Sequence, residues 1–179
     1  MKKILKRYRT FIMASIVVGI LTLFNPELGS KAISITAFSF NEMILVIPPI
    51  FILLGLLDIW VPKEMMMKYM GEGSGFKGVL LAFLIGSAAA GPLYGAFPVA
   101  TVFMKKGVKF SNILIFIGAW STTKIPMVLF EVTSLGLKFA LTRLLIDIPG
   151  IILIAWLLSK LLSKKDVLEI YQNAEKFDL

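Results

Sequence analysis

The chain contains neither cysteine nor histidine. The first absence excludes a disulfide framework and a thiolate nucleophile, and the second an imidazole base or proton relay. Together they remove the usual ligands of a zinc or soft-metal site. Charge is scarce as well: charged residues fill 17% of the 179 positions, where a soluble domain carries about 25%. No nucleotide-binding motif is present, and nothing in the sequence calls for a cofactor.

What is abundant is apolar residue, 58% of the chain, with a mean hydropathy of +0.87. It is gathered in long blocks. That pattern excludes disorder, a nucleic-acid-binding domain and an ordinary soluble enzyme, and points to an all-α polytopic membrane protein. The net charge of +8 comes from 19 Lys+Arg against 11 Asp+Glu. The basic residues sit between the apolar blocks, where they set orientation and meet anionic lipid headgroups.

Residues 1–10 form a basic head, and 11–24 an apolar run closed by Asn25-Pro26. A secretory signal has the same outline, but no small-x-small cleavage site follows. The expectation is a retained first helix over about 8–25, then a loop over 27–39. A second span is expected over 40–61, broken or bent at Pro48-Pro49. Residues 63–70 (KEMMMKYM) suit a short interfacial helix. Its methionines are read as packing rather than metal ligands, and GEGSG at 71–75 as a turn.

Residues 78–104 are apolar but interrupted by Gly91-Pro92, Gly95 and Pro98. Two half-helices, 78–90 and 97–104, around a non-helical apex fit this pattern. Residues 109–134 form a second broken helix, interrupted by Ser121-Thr122-Thr123-Lys124-Ile125-Pro126. Residues 137–161 are the last span, and 162–179 a polar tail.

Charge counting separates two topologies. If 78–104 crosses the membrane, Lys+Arg divide 9 to 8 between the two sides; if it re-enters on one side, 15 fall inside and 2, Lys31 and Lys138, outside. Only the second obeys the positive-inside rule strongly. The expected fold is therefore four transmembrane helices plus a re-entrant hairpin, with both termini cytoplasmic. Five transmembrane helices are the alternative, and would suit a dual-topology antiparallel dimer.

Irregular backbone at membrane depth must line protein or water, and adjacent broken helices can build a midplane site. The candidate substrate-binding residues are Ser87, Gly91, Pro92, Tyr94, Gly95, Ser121, Thr122, Thr123 and Lys124. Glu42 and Asp58 fall near the ends of their span and are read as interfacial. Lys124, Glu131, Arg143 and Asp147 form a candidate intramembrane charge network. Counting from a turn at Gly136 places Lys124 level with Asp147 and Glu131 level with Arg143, while Arg143 and Asp147 share a helix face. A clamp between helices and a transport pathway both fit these charges. A Ser121–Lys124 nucleophile and base is conceivable, but that spacing is common by chance.

Residues Gly91-Pro92, Phe97-Pro98, Lys106-Gly107, the phenylalanine-rich run into Ala119-Trp120, Pro126, Glu131, Gly136 and Arg143 carry a resemblance. The stretch resembles the repeat of the predicted permease family that includes YraQ-type proteins and organoarsenical exporters, over about residues 40–161. Larger members carry two such repeats. The resemblance thus implies a half-size protein that dimerises, with residues 1–39 as an addition and 162–179 as a cytoplasmic tail on a single membrane domain. Many members carry a cysteine-rich apex, whereas the matching residues here, Ala90 to Phe97, hold no thiol. Thiolate coordination of an arsenical is excluded, and that substrate does not carry over.

The expected function is a secondary-transporter-like permease subunit of the cell membrane, a homodimer moving a small polar or ionic solute, and not an enzyme. A non-transporting scaffold or partner-binding subunit is the alternative.

Overall fold

The computed structural model describes residues 8–89 and 91–176, without the side chains of Glu42, Val46, Ile47, Phe51, Leu53, Leu54, Leu57 and Asp58. The interfacial placement expected of Glu42 and Asp58 and most of the basic head lie outside what is described. The described residues are helical and contain no strand. They fall into two compact units, Met1–Pro48 and Pro49–Leu179.

In the first unit, α1 (Arg9–Phe24) ends at Asn25. The next helix, α2, starts at once and runs Pro26–Trp60. The expected loop at 27–39 is therefore helix. The reason is local: Asn25 Oδ1 accepts from Leu28 N at 3.2 Å, and proline follows at the first helical position, where its missing N–H costs nothing. Asn25-Pro26 stops one helix and starts the next. A Cβ on Gly29 would lie 2.6 Å from Thr22 Cβ, so glycine lets the two helices approach. Pro48-Pro49 stay inside α2.

The second unit holds the core. Helix α3 (Lys63–Met70) buries Met66 and Met70 and exposes Met65 and Met67. Among the described residues no group of three or more acidic, His or Cys side chains could hold a metal. The segment 78–104 divides as expected, into α4 (Gly75–Ala88), a 3₁₀ turn at Leu93–Gly95, and α5 (Ala96–Lys105). The second broken segment gives α6 (Phe110–Thr122) and α7 (Ile125–Leu135). Gly136, at φ 90°, turns the chain into α8 (Leu137–Leu161).

Helix α4 lies parallel to α6. At one end Asn112 Nδ2 donates to Met70 O at 2.8 Å and to Ser74 Oγ at 3.2 Å. At the other, Ser87 Oγ and Thr123 Oγ1 are 2.9 Å apart. Gly78, Ala82 and Gly86, four residues apart and buried, form the contact stripe. A Cβ on Gly86 would lie 2.5 Å from Phe116 O, the close approach that small residues permit.

Helix α5 returns antiparallel to α6, with the Phe103 ring tilted against Phe116 at 4.9 Å between centroids. The return is completed when Lys109 N donates to Met70 O at 2.9 Å. Both ends of the α4–α5 segment therefore stand side by side, and its apex points away from them.

Helix α9 (Lys164–Glu175) starts on a capping box between Ser163 and Asp166. The hydrogen bonds from Ser163 hold the Asp166 carboxyl below the usual range. Helix α9 packs on α5, and Tyr171 Oη donates to Val108 O at 2.5 Å.

By length and composition, three described segments can cross a membrane: Pro26–Ile50, Phe110–Leu135 and Leu137–Leu161. Helix α1, at 16 residues, is shorter than the ~20 that a bilayer core asks of a perpendicular helix.

Candidate functional site

The two helix breaks meet. Gly91 takes φ +99°, a left-handed conformation open to glycine and costly for other residues. Its carbonyl, freed from any helix, accepts from Lys124 Nζ at 2.8 Å and from Trp120 Nε1 at 3.3 Å. Lys124 stands where α6 has ended and α7 has not begun, with an extended backbone (φ −57°, ψ 134°). That geometry sends its side chain across to the hairpin apex.

Beside this contact the Ser87–Thr123 hydroxyl pair joins the last turns of α4 and α6. Gly95 packs under the indole of Trp120, where an added Cβ would come within 3.5 Å of Cζ2. A cavity of about 300 Å³ opens next to the pair, bounded by Phe83, Ser87, Thr123, Ile125, Leu144 and Ile148 among others. Its walls are apolar apart from the two hydroxyls. Parallel α4 and α6 both bring their C-terminal ends here, and with them the partial negative charge of unpaired carbonyls. Lys124 sits on Gly91 O, in the turn that follows α4. Arg143 offsets the end of α6 by donating to Thr122 O.

Of the residues expected from sequence, the structure thus brings together Ser87, Gly91, Gly95, Thr123 and Lys124, with Pro92 directly after the apex glycine. It sets three apart. Ser121 Oγ and Thr122 Oγ1 both turn back to Gly118 O, at 2.8 and 3.0 Å, so neither hydroxyl is offered across the break. Tyr94 is exposed on the 3₁₀ turn. Since Ser121 bonds Gly118 O and Lys124 bonds Gly91 O, the two do not form a nucleophile–base pair.

The charge ladder forms in part. Glu131 and Arg143 pair, and Arg143 Nε meets Asp147 Oδ2 at 3.3 Å along α8. The expected Lys124–Asp147 pair is absent among the described residues. A count along the helices says nothing of direction, and Lys124 leaves the helix toward the hairpin apex at Gly91 O.

Trp120 is the site residue that sequence reasoning passed over. Its signal was present: an indole N–H in an apolar run needs an acceptor, and the nearest free carbonyl had to come from a break.

A family profile described as a predicted permease, ArsP_1, matches residues 29–179. The chain belongs to this predicted permease family. The match takes in most of α2 and the whole of α9, beyond the 40–161 stretch that carried the resemblance. Neither the curated proteins nor the solved structures compared with the chain give a match. Membership and the apolar helices mark a multi-pass membrane protein with a transporter-like role.

Proposed function

We propose that the chain is a half-size permease subunit of the cell membrane, related to the YraQ-type members, which works as a homodimer and moves a small polar or anionic solute. The observation that carries this reading is the meeting of two helix breaks at Gly91 O, where a lysine ammonium is bonded only to a backbone carbonyl among the described residues. A carbonyl is a weak counter-charge. A carboxylate or other oxyanion entering the neighbouring cavity can replace it at Lys124 and accept from the Ser87 hydroxyl, Thr123 Oγ1 being bonded back to Ala119 O. Half-helix ends that meet within an apolar segment recur in transporters; here both are C-terminal ends, so the Lys124 cation is what favours an anion.

The segment α4–α5 is read as a re-entrant hairpin. Support comes from the side-by-side ends at Met70 and Lys109 and from the Lys+Arg count, 15 on one side against Lys138 on the other, with Lys31 inside the α2 span. Helices α1, α2, α6–α7 and α8 then make four crossings, and both termini are cytoplasmic. Cysteines introduced at Glu72 and Lys105 in a membrane preparation test this: labelling from the same side supports the hairpin, and labelling from opposite sides replaces it with five crossings.

Function is tested by reconstituting the purified chain in vesicles and following the flux of a panel of small carboxylates, oxyanions and zwitterions. Wild-type protein carries at least one of them, and Lys124→Ala lowers that flux at least about tenfold, the value of one charge-assisted hydrogen bond, while the melting profile is kept. Wild-type vesicles as tight as protein-free ones would leave the scaffold reading standing.

A further inference from the structure

A cavity of about 480 Å³ lies at the neck of the hairpin, walled by α3, the turn from α5 into α6, and α9. Tyr171 Oη, donating to Val108 O, holds α9 against that turn. Four lysines line the cavity, Lys63, Lys105, Lys109 and Lys164, with two carboxylates, Glu72 and Glu175. The lining thus has two positive charges in excess. Lys109 Nζ meets Glu72 Oε2 at 3.3 Å, but Glu72 is 81% exposed, and an ion pair so wet holds weakly. Lys63 and Lys164 are exposed and have no ion pair among the described residues.

The lysines stand at the level of lipid headgroups. Lys109 directly precedes the candidate span Phe110–Leu135, and Lys164 comes shortly after Leu137–Leu161 ends. The turn at Gly136 joins these spans, so the start of the first and the end of the second share one side of the membrane. The cavity has an apolar wall as well, with Met67, Met104, Val108 and Leu168 beside the ammonium groups. A second cavity, of about 490 Å³, shares Lys109 and Lys164. A compact ion would leave the apolar wall and much of this space to water. A ligand with a phosphate at one end and hydrocarbon at the other satisfies both surfaces.

We propose that this cavity is a phosphate site filled by the headgroup of an anionic phospholipid. The lysine ammonium groups take the phosphate as point charges, and the methionine and leucine surface takes the glycerol and the first methylenes of the acyl chains. Glu72, exposed and paired only through Lys109, yields its place to the phosphate. The bound lipid ties α9 to α3 and to the hairpin neck. Nothing in the site requires that the protein move a solute, and it stands with either four or five crossings, because Lys109 and Lys164 share a side in both.

Native mass spectrometry of the full chain in detergent, with phosphatidylglycerol, phosphatidylcholine or glycerol phosphate added, tests this. Phosphatidylglycerol should bind more tightly than zwitterionic phosphatidylcholine. Lys109→Ala with Lys164→Ala should weaken it about thirtyfold, at about fivefold per lysine. Lys165→Ala with Lys176→Ala removes the same charge from outside both cavities and should change it less than about twofold, since salt screens distant charge. Glu72→Gln should tighten binding about twofold or more, a gain that misfolding cannot mimic, so it decides the question even if the first double variant fails to fold. Equal binding of the two lipids by the wild type, equal losses in the two double variants, or no gain in Glu72→Gln would each overturn the site. Glycerol phosphate bound as tightly as the lipid would keep the phosphate site and overturn the lipid as its source.

Discussion

Two apolar segments of this chain carry proline at mid-length and respond in opposite ways. Helix α2 keeps Pro48-Pro49 inside an unbroken run from Pro26 to Trp60. The 78–104 segment opens at Gly91-Pro92 and reverses direction. Each interior proline costs a helix ~3 kcal/mol, and α2 bears two, so proline does not decide the outcome. The difference lies in what receives the released backbone. Gly91 can take φ +99°, and its carbonyl finds Lys124 and Trp120. A helix breaks where a residue can turn and where a donor meets the carbonyl that the turn sets free.

The contrast can be broken most forcefully at the helix contact that supports the apex. Gly86→Val puts atoms into Phe116 O and Ala119 and should cost up to ~3 kcal/mol as an overpacked core. Gly55→Ala in α2, with nothing within 4 Å of the new Cβ, should stabilise by ~0.5–1 kcal/mol. Thermal unfolding in detergent compares them, and equal behaviour would deny that α4 and α6 touch as described.

Next in size is the apex itself. Gly91→Leu forces a left-handed Leu at ~1–3 kcal/mol and should abolish flux, whereas Pro49→Ala should leave flux as it was. Loss in both would make α2 part of the site. Smaller still, Trp120→Phe removes one hydrogen bond worth ~1 kcal/mol and should lower solute affinity about fivefold, read from the concentration dependence of flux.

The smallest effect is at α9. Burial pushes Tyr171 up to about 12 from an ordinary 10, so folding favours the neutral phenol. Its contribution is complete below pH ~10, the ordinary phenol value, and is lost as pH climbs through about 12. The helical circular-dichroism signal lost over that window should be smaller in Tyr171→Phe, which has no phenol to ionise.

Much of this was legible in the residues. Glycine and proline announced both breaks, and the antiparallel count from Gly136 found the Glu131–Arg143 pair. Three things were not. Asn25-Pro26 was read only as a stop, because its capping role depends on a side-chain rotamer. The Gly78–Ala82–Gly86 stripe follows a four-residue spacing, but which helix it meets is a tertiary fact. The partner of Lys124 depended on where the chain leaves the helix, and depth along a membrane carries no azimuth.

The carbonyl of Met70 receives both Lys109 N and Asn112 Nδ2. That oxygen, with the Asn112–Ser74 contact, fastens the neck of the hairpin, and α4, packed on α6 through Gly78, Ala82 and Gly86, is an arm rooted at that pivot. The 14 residues of α4 make that arm ~21 Å long. A tilt of ~5° at the pivot swings the tip by ~2 Å, as the ~1.5 Å rise per residue dictates. That swing would part the 2.8 Å contact at Gly91 while bending no helix.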